Sequence, residues 1–139
     1  MSAKVFVDTN ILLYARDASE PEKQRVAAER LAELWDSRCG RLSIQVLNEY
    51  YVNVTRKLSP GLTPEEAWDD VEALSVWELL AMDCQLLQRG FGVQRRYGLS
   101  WWDALIVAAA ERSGCELILS EDLSAGASYF GMIVENLFR

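Results

Sequence analysis

Four acidic residues stand where their surroundings allow them to do chemistry: Asp8, Glu49, Asp103 and Asp122. Asp8 closes the apolar run Val5-Phe6-Val7. Asp103 heads the nearly all-apolar stretch Ala104-Leu105-Ile106-Val107-Ala108-Ala109-Ala110, and Asp122 follows Glu116-Leu117-Ile118-Leu119. Singly, each has a structural explanation. Asp8 can cap a short helix over Ile11–Ala15, Asp103 can close a capping box begun by Ser100, Asp122 suits a turn, and Glu49 suits a solvated helix face. Their context tips the balance. A helix as apolar as 104–110 is buried on most sides, so a carboxylate at its start meets the interior and is costly unless compensated. Asp8 likewise sits between Phe6-Val7 and Ile11-Leu12-Leu13. Two semi-buried carboxylates at one sheet edge repel each other unless a divalent cation joins them.

The chain of 139 residues contains no histidine, which excludes Ser-His-Asp and Cys-His catalysis and most zinc sites. Hard oxygen ligands suit Mg²⁺ or Mn²⁺. An ion held by carboxylates can activate water and neutralise phosphate oxygens, which is what phosphodiester hydrolysis requires. The formal net charge of −7 opposes nucleic-acid binding at first sight. Acids gathered in one pocket would account for part of it, with Arg89, Arg95 and Arg96 as candidate phosphate contacts, joined by Arg56 and Lys57. Trp101-Trp102 offers rings on which a base could stack. The three cysteines, Cys39, Cys84 and Cys115, are widely spaced and are expected to be free buried thiols.

The elements that must position these residues alternate. Short apolar runs at Val5–Val7, 41–44, 76–80, 116–119 and 132–134 read as strands. Ser19-Glu20-Pro21-Glu22 and Thr63-Pro64-Glu65-Glu66 both read as capping boxes. The first opens a helix ending near Gly40, the second a helix through about Leu74. Leu47, Tyr50, Tyr51, Val54 and Leu58 mark a helical face stopped by Ser59-Pro60-Gly61. Asp83 caps a helix whose Leu86, Leu87, Phe91 and Tyr97 share a side, and Ser100 opens one that stops at Gly114. Alternation of this kind predicts an α/β fold with a central parallel sheet covered on both faces, ligands gathering at the carboxyl ends of the strands. Residues 1–139 fit one domain. No stretch reaches the roughly 18 apolar residues of a membrane span, and Met1-Ser2-Ala3-Lys4-Val5 has no secretory h-region. The chain is therefore expected in the cytoplasm.

Val7-Asp8-Thr9-Asn10-Ile11-Leu12, Asn48-Glu49, Trp102-Asp103-Ala104-Leu105-Ile106 and Leu119-Ser120-Glu121-Asp122-Leu123, taken in that order, resemble the PIN-domain family. The similarity is greatest to its VapC toxins and extends to Glu135-Asn136-Leu137-Phe138. The resemblance implies a PIN-like α/β/α sandwich and Mg²⁺- or Mn²⁺-dependent cleavage of RNA. Asp8 and Asp103 would be the main metal ligands, and Glu49 and Asp122 would complete a catalytic quartet. Asn10 would orient Asp8, Ser120 would help hold the pocket, and Glu121 is an alternative to Asp122. A homodimer is implied, together with a small antitoxin reaching the acidic pocket. Aromatic residues at Trp35, Tyr50, Tyr51 and Trp68 are interface candidates, although Trp35 is expected in the core. The alternative is a non-catalytic PIN-like module that binds RNA or protein. Aspartyl-phosphate enzymes fit less well. The residue two after Asp8 is Asn10 rather than a second acid, and neither a downstream lysine motif nor a receiver-type acid pair is present.

Overall fold

The computed structural model describes residues 3–139; Met1 and Ser2, the first residues of the expected leader-free start, lie outside the described part. A six-stranded sheet runs in the order β3-β2-β1-β4-β6-β5, with β1 Val5–Val7, β2 Gly40–Ser43, β3 Glu78–Leu80, β4 Leu117–Leu119, β5 Ser128–Tyr129 and β6 Met132–Glu135. All neighbours are parallel except β5, which pairs antiparallel with β6. The helices are α1 Thr9–Tyr14, α2 Pro21–Ser37, α3 Ile44–Arg56, α4 Pro64–Leu74, α5 Cys84–Tyr97 and α6 Trp101–Arg112, and they complete an α/β/α sandwich. The central strand β1 is buried at every residue, as a strand covered on both faces must be.

Strand order decides where a ligand would sit. From β1 the chain steps outward to β2 and β3, then returns to place β4 on the other side of β1. The reversal opens a crevice at the carboxyl ends of β1 and β4, the usual ligand position in open α/β sheets. Val7 is in register with Leu119, and Asp8 N–H donates to the Leu119 carbonyl at 3.0 Å, so Asp8 and Ser120 emerge side by side.

Local chemistry explains most boundaries. Thr63 and Glu66 form a full reciprocal capping box at α4. The equivalent pattern at Ser19 does not form. Ser19 is held by Asp17 through both its N–H and its hydroxyl, so α2 starts from Glu20 without a side-chain cap and relies on Pro21 in its first turn. Helix α2 also ends at Ser37 rather than near Gly40, because Arg38 turns left-handed (φ 60°) and Gly40 already belongs to β2. Ile44 begins α3 instead of ending β2, because Ser43 caps that helix by accepting from Val46 N–H. Val76 and Trp77 precede β3 rather than forming part of it. The β5–β6 hairpin has no counterpart among the expected strands; a two-residue strand carries too little pattern to be seen.

The core is aliphatic at its centre and alanine-rich along α6, where Ala104 through Ala110 are all buried. On α5 the buried face is Leu86, Gly90 and Val93, while Leu87 and Phe91 point outward, unlike the expected shared side. Trp35 is 45% exposed and leans on Trp77 with ring centres 6.1 Å apart, so it is not a core residue. Cys115 is buried and Cys39 half-buried, but Cys84 is exposed at the first turn of α5. Asp70 of α4 gathers the Tyr50 hydroxyl of α3 and both nitrogens of an Arg16 fork, which pins α3 and α4 to the end of α1.

Candidate functional site

Asp8, Glu49, Asp103 and Asp122 line one cleft with a volume of about 350 Å³, at the carboxyl ends of the strands. Each arrives by a different route. Asp8 ends β1 and is the N-cap of α1, its Oδ1 accepting from Thr9 N–H at 2.7 Å. Glu49 sits in the second turn of α3, which Ser43 starts directly from β2. Asp103 occupies the first turn of α6 behind its cap Ser100. Asp122 follows β4 in the loop that Ser120 organises.

Ser120 and Asn10 tie this loop to Asp8. The Ser120 hydroxyl donates to Asp8 Oδ2 at 2.8 Å and accepts from the N–H groups of Asp122 and Leu123. Asn10 Nδ2 donates to Asp8 Oδ2 at 3.4 Å and to Asp122 Oδ2 at 3.1 Å, while its Oδ1 accepts from Glu121 N–H. Glu121 itself turns away, taking hydrogen bonds from the Tyr14 hydroxyl and from Lys23 at 2.7 Å. Of the two adjacent acids, Asp122 is the one in the cleft.

Two residues absent from the sequence expectations hold Glu49. Thr9 Oγ1 donates to Oε2 at 2.9 Å, and Gln45 Nε2 donates to Oε1 at 3.1 Å and reaches the Trp102 carbonyl at 3.5 Å. Gln45 thereby links the acid of α3 to the helix start that carries Asp103. The spacing Gln45–Glu49, one turn apart, was a visible signal, but nothing in the sequence shows that this face looks onto α6.

Electrostatics mark the cleft as a place of uncompensated negative charge. Asp8 is only 5% exposed, and burial pushes its carboxyl up to about 6. The hydrogen bonds from Ser120 and Thr9 N–H oppose this and lose, with Asp122 and Asp103 adding repulsion. Asp103 is also raised, first by burial and then by Asp122 and Glu49, against the favourable bond with Ser100. Its place at a helix N-terminus favours a negative charge, but burial outweighs that here. Lys57 is the one Lys or Arg among the residues lining the cleft.

The donor set fits a hard divalent cation in type and charge: carboxylate oxygens without sulfur or imidazole, gathered where a cation would offset the cost of burying the charges of Asp8 and Asp103. Among the described residues no three His, Cys, Asp or Glu side chains are drawn together into a ready-made cage. Of the expected cations Lys57 lines the cleft, whereas Arg56, Arg89, Arg95 and Arg96 are not among its lining residues. Arg89 forms a two-pronged pair with Glu111, Arg95 lies over Phe91, and Arg96 lies over Tyr97 and Phe130. Trp101 is half-buried, whereas Trp102 is 61% exposed at the cleft wall.

The family model described as PIN domain matches residues 5–125. Among solved structures, the chain is similar to one from a toxin–antitoxin complex of Klebsiella pneumoniae, with 21% identity, 96% of this chain and 98% of that one covered, and a TM-score of 0.69. It is also similar to Mycobacterium tuberculosis VapC20, described as a sarcin–ricin loop cleaving toxin (19% identity, 86% and 92% covered, TM-score 0.63). A third is Rickettsia felis VapBC2 bound to a promoter DNA fragment (18% identity, 95% and 97% covered, TM-score 0.63). Likeness at these identities establishes the fold. No curated protein sequence matches the chain significantly.

Proposed function

The chain belongs to the PIN-domain family, and from that premise we propose that it is a Mg²⁺- or Mn²⁺-dependent endoribonuclease, the toxin of a type II toxin–antitoxin module. One observation carries the proposal: Asp8, Glu49, Asp103 and Asp122 line a single cleft, where burial first and neighbouring acids second raise the carboxyls of Asp8 and Asp103 above their ordinary range. Asp8 and Asp103 would be the main metal ligands, with Glu49 and Asp122 acting directly or through waters. A divalent ion bound there would supply a water of lowered pKa and neutralise charge on the phosphate.

The chain's own groups prepare that role. Ser120 and Asn10 fix Asp8 Oδ2, and Asn10 holds Asp122 on the same side. Thr9 and Gln45 occupy one oxygen each of Glu49 and so set its orientation. Trp102 presents an exposed indole on which a base can stack. Arg95 and Arg96, in the last turn of α5, would extend the phosphate-binding surface outside the cleft. Arg89 is less available because Glu111 already neutralises it.

The proposal treats residues 1–139 as one domain acting in the cytoplasm as a homodimer, held inactive by a small antitoxin. Among the described residues no helix is long and apolar enough to cross a membrane. An antitoxin arginine entering the cleft would pair with Asp8 or Asp103 and occupy the metal position. Growth arrest on expression alone, rescue with the adjacent gene and a co-purifying complex are the expected results. Purified chain incubated with RNA should cleave it with Mn²⁺ and not with EDTA, and Asp103→Asn should abolish cleavage. The open spacing of the acids is what favours a non-catalytic RNA- or protein-binding module. Tight RNA binding with neither Mn²⁺ uptake nor cleavage would establish that module and remove the nuclease.

A further inference from the structure

Four residues of α3 and its C-cap line the cleft at intervals of four: Gln45, Glu49, Asn53 and Lys57. This spacing stacks side chains along one helical face, with about 12 Å of rise from Glu49 to Lys57. The stripe runs from the interior outward: Gln45 is buried, Glu49 and Asn53 are half-buried, and Lys57 is exposed. Its chemistry changes in the same direction, from the amide that positions Glu49, through the acid, to a second amide and then an ammonium.

The outer two members have nothing to do within the fold. The Asn53 carbonyl accepts from Lys57 N–H at 2.8 Å, but its side-chain amide makes no hydrogen bond among the described residues. Lys57 makes no ion pair there, whereas seven other cations, Arg16, Lys23, Arg25, Arg30, Arg41, Arg89 and Arg112, are each committed to a carboxylate. A chain of net charge −7 therefore keeps an uncommitted cation at the mouth of its acidic cleft. The polyanionic strand must approach four carboxylates, and a positive charge on the approach offsets that repulsion.

We propose that this face of α3 is the track of the RNA strand. Lys57 pairs with a backbone phosphate flanking the scissile one, and Asn53 hydrogen-bonds the nucleotide between Lys57 and the acids. The proposal rests on the ribonuclease function proposed above and adds where the substrate lies. Its test measures binding rather than turnover, on full-length chain carrying Asp103→Asn to block cleavage. The probe is a fluorescein-labelled single-stranded RNA of mixed sequence, titrated in Mg²⁺ over a KCl series. Lys57→Gln should weaken binding about fivefold and reduce the slope of log affinity against log salt by about 0.7, the signature of one lost phosphate contact on a single strand. Lys57→Arg should restore both. Asn53→Ala should weaken binding while leaving the slope unchanged, because an amide releases no counterion. Calorimetric Mn²⁺ titration of Lys57→Gln in the otherwise native chain should still show binding, which separates a lost phosphate grip from a damaged acid centre. Unchanged affinity and slope in Lys57→Gln would overturn the track, as would loss of a co-purifying protein with RNA binding intact. A parent Asp103→Asn chain that binds no RNA at any salt would overturn the track, and the ribonuclease function falls with it only if the native chain also fails to cleave RNA with Mn²⁺.

Discussion

Asp8 keeps its proton up to about 6 because burial outweighs the two hydrogen bonds that favour its charge. The unfolded chain releases that proton near 3.8. Between these values the folded chain binds more protons, so this group lowers stability as pH rises from about 4 through 6. Asp103 is shifted in the same direction. In EDTA at pH 7, Asp8→Asn should therefore raise unfolding stability by about 1–3 kcal/mol, with the gain vanishing near pH 4. Urea denaturation at the two pH values measures this, and a destabilised Asp8→Asn at pH 7 would contradict the cost assigned to burying its charge. The same variant should lose cleavage, and in the native chain Mn²⁺ binding should weaken below pH 6, where Asp8 must first give up its proton. Ser120→Ala removes a hydroxyl that donates to Asp8 and accepts from two N–H groups. It should cost about 1–3 kcal/mol and move the onset of Mn²⁺ binding to higher pH, which a calorimetric pH series would show.

At the scale of elements, two similar tetrapeptides end differently. Thr63 and Glu66 cap α4 reciprocally, while Ser19 is claimed by Asp17. Thr63→Ala should cost about 1 kcal/mol and Ser19→Ala no more than about 0.5 kcal/mol, by chemical denaturation. Equal losses would mean that Ser19 caps α2 in solution. Gly40 shows how an element's start is set by a neighbour. A Cβ there would lie 2.3 Å from the Trp77 ring, which sits over the beginning of β2. Gly40→Ala should destabilise by about 1–3 kcal/mol through overpacking. Because this is the amino end of β2, away from the acidic cleft, Mn²⁺ affinity should not change; a large change would mean that the sheet transmits the strain to its other end.

At the scale of the whole molecule, an apolar groove lies between α3 and α4. Ile44 and Trp68 are exposed there beside Leu47, Tyr51, Val71 and Leu79, in a groove of about 540 Å³. Aromatic and aliphatic surface of this kind is typical of interface cores. The proposed homodimer should appear in light scattering at twice 15.7 kDa, and Trp68→Glu should shift it toward monomer. A native chain that is monomeric at all concentrations would remove the homodimer from the proposal.

Helix caps, breakers and short apolar runs act over a few residues, so most elements could be recognised along the chain, including the α4 capping box and the Asp83 and Ser100 caps. Three of the acids were legible for the same reason: Asp8 closes a strand, Asp103 lies in the first turn of a helix and Asp122 follows a strand, whereas Glu49 stands on a helix face with no such local signal and gained its role from the family resemblance. Which elements are neighbours was not legible. Hydrophobic pattern does not encode strand order, and only the return of β4 beside β1 puts Ser120 against Asp8. Periodicity likewise found a face on α5 but rotated it, because Gly90 leaves room for Leu105 to approach and Phe91 is left outside. Glu121 and Asp122 are equivalent as letters, and the choice between them was made by Lys23 and Tyr14, about 100 positions away, which hold Glu121 outside the cleft. Local chemistry travels with the sequence, whereas the partners of a side chain belong to whichever element folding brings alongside it.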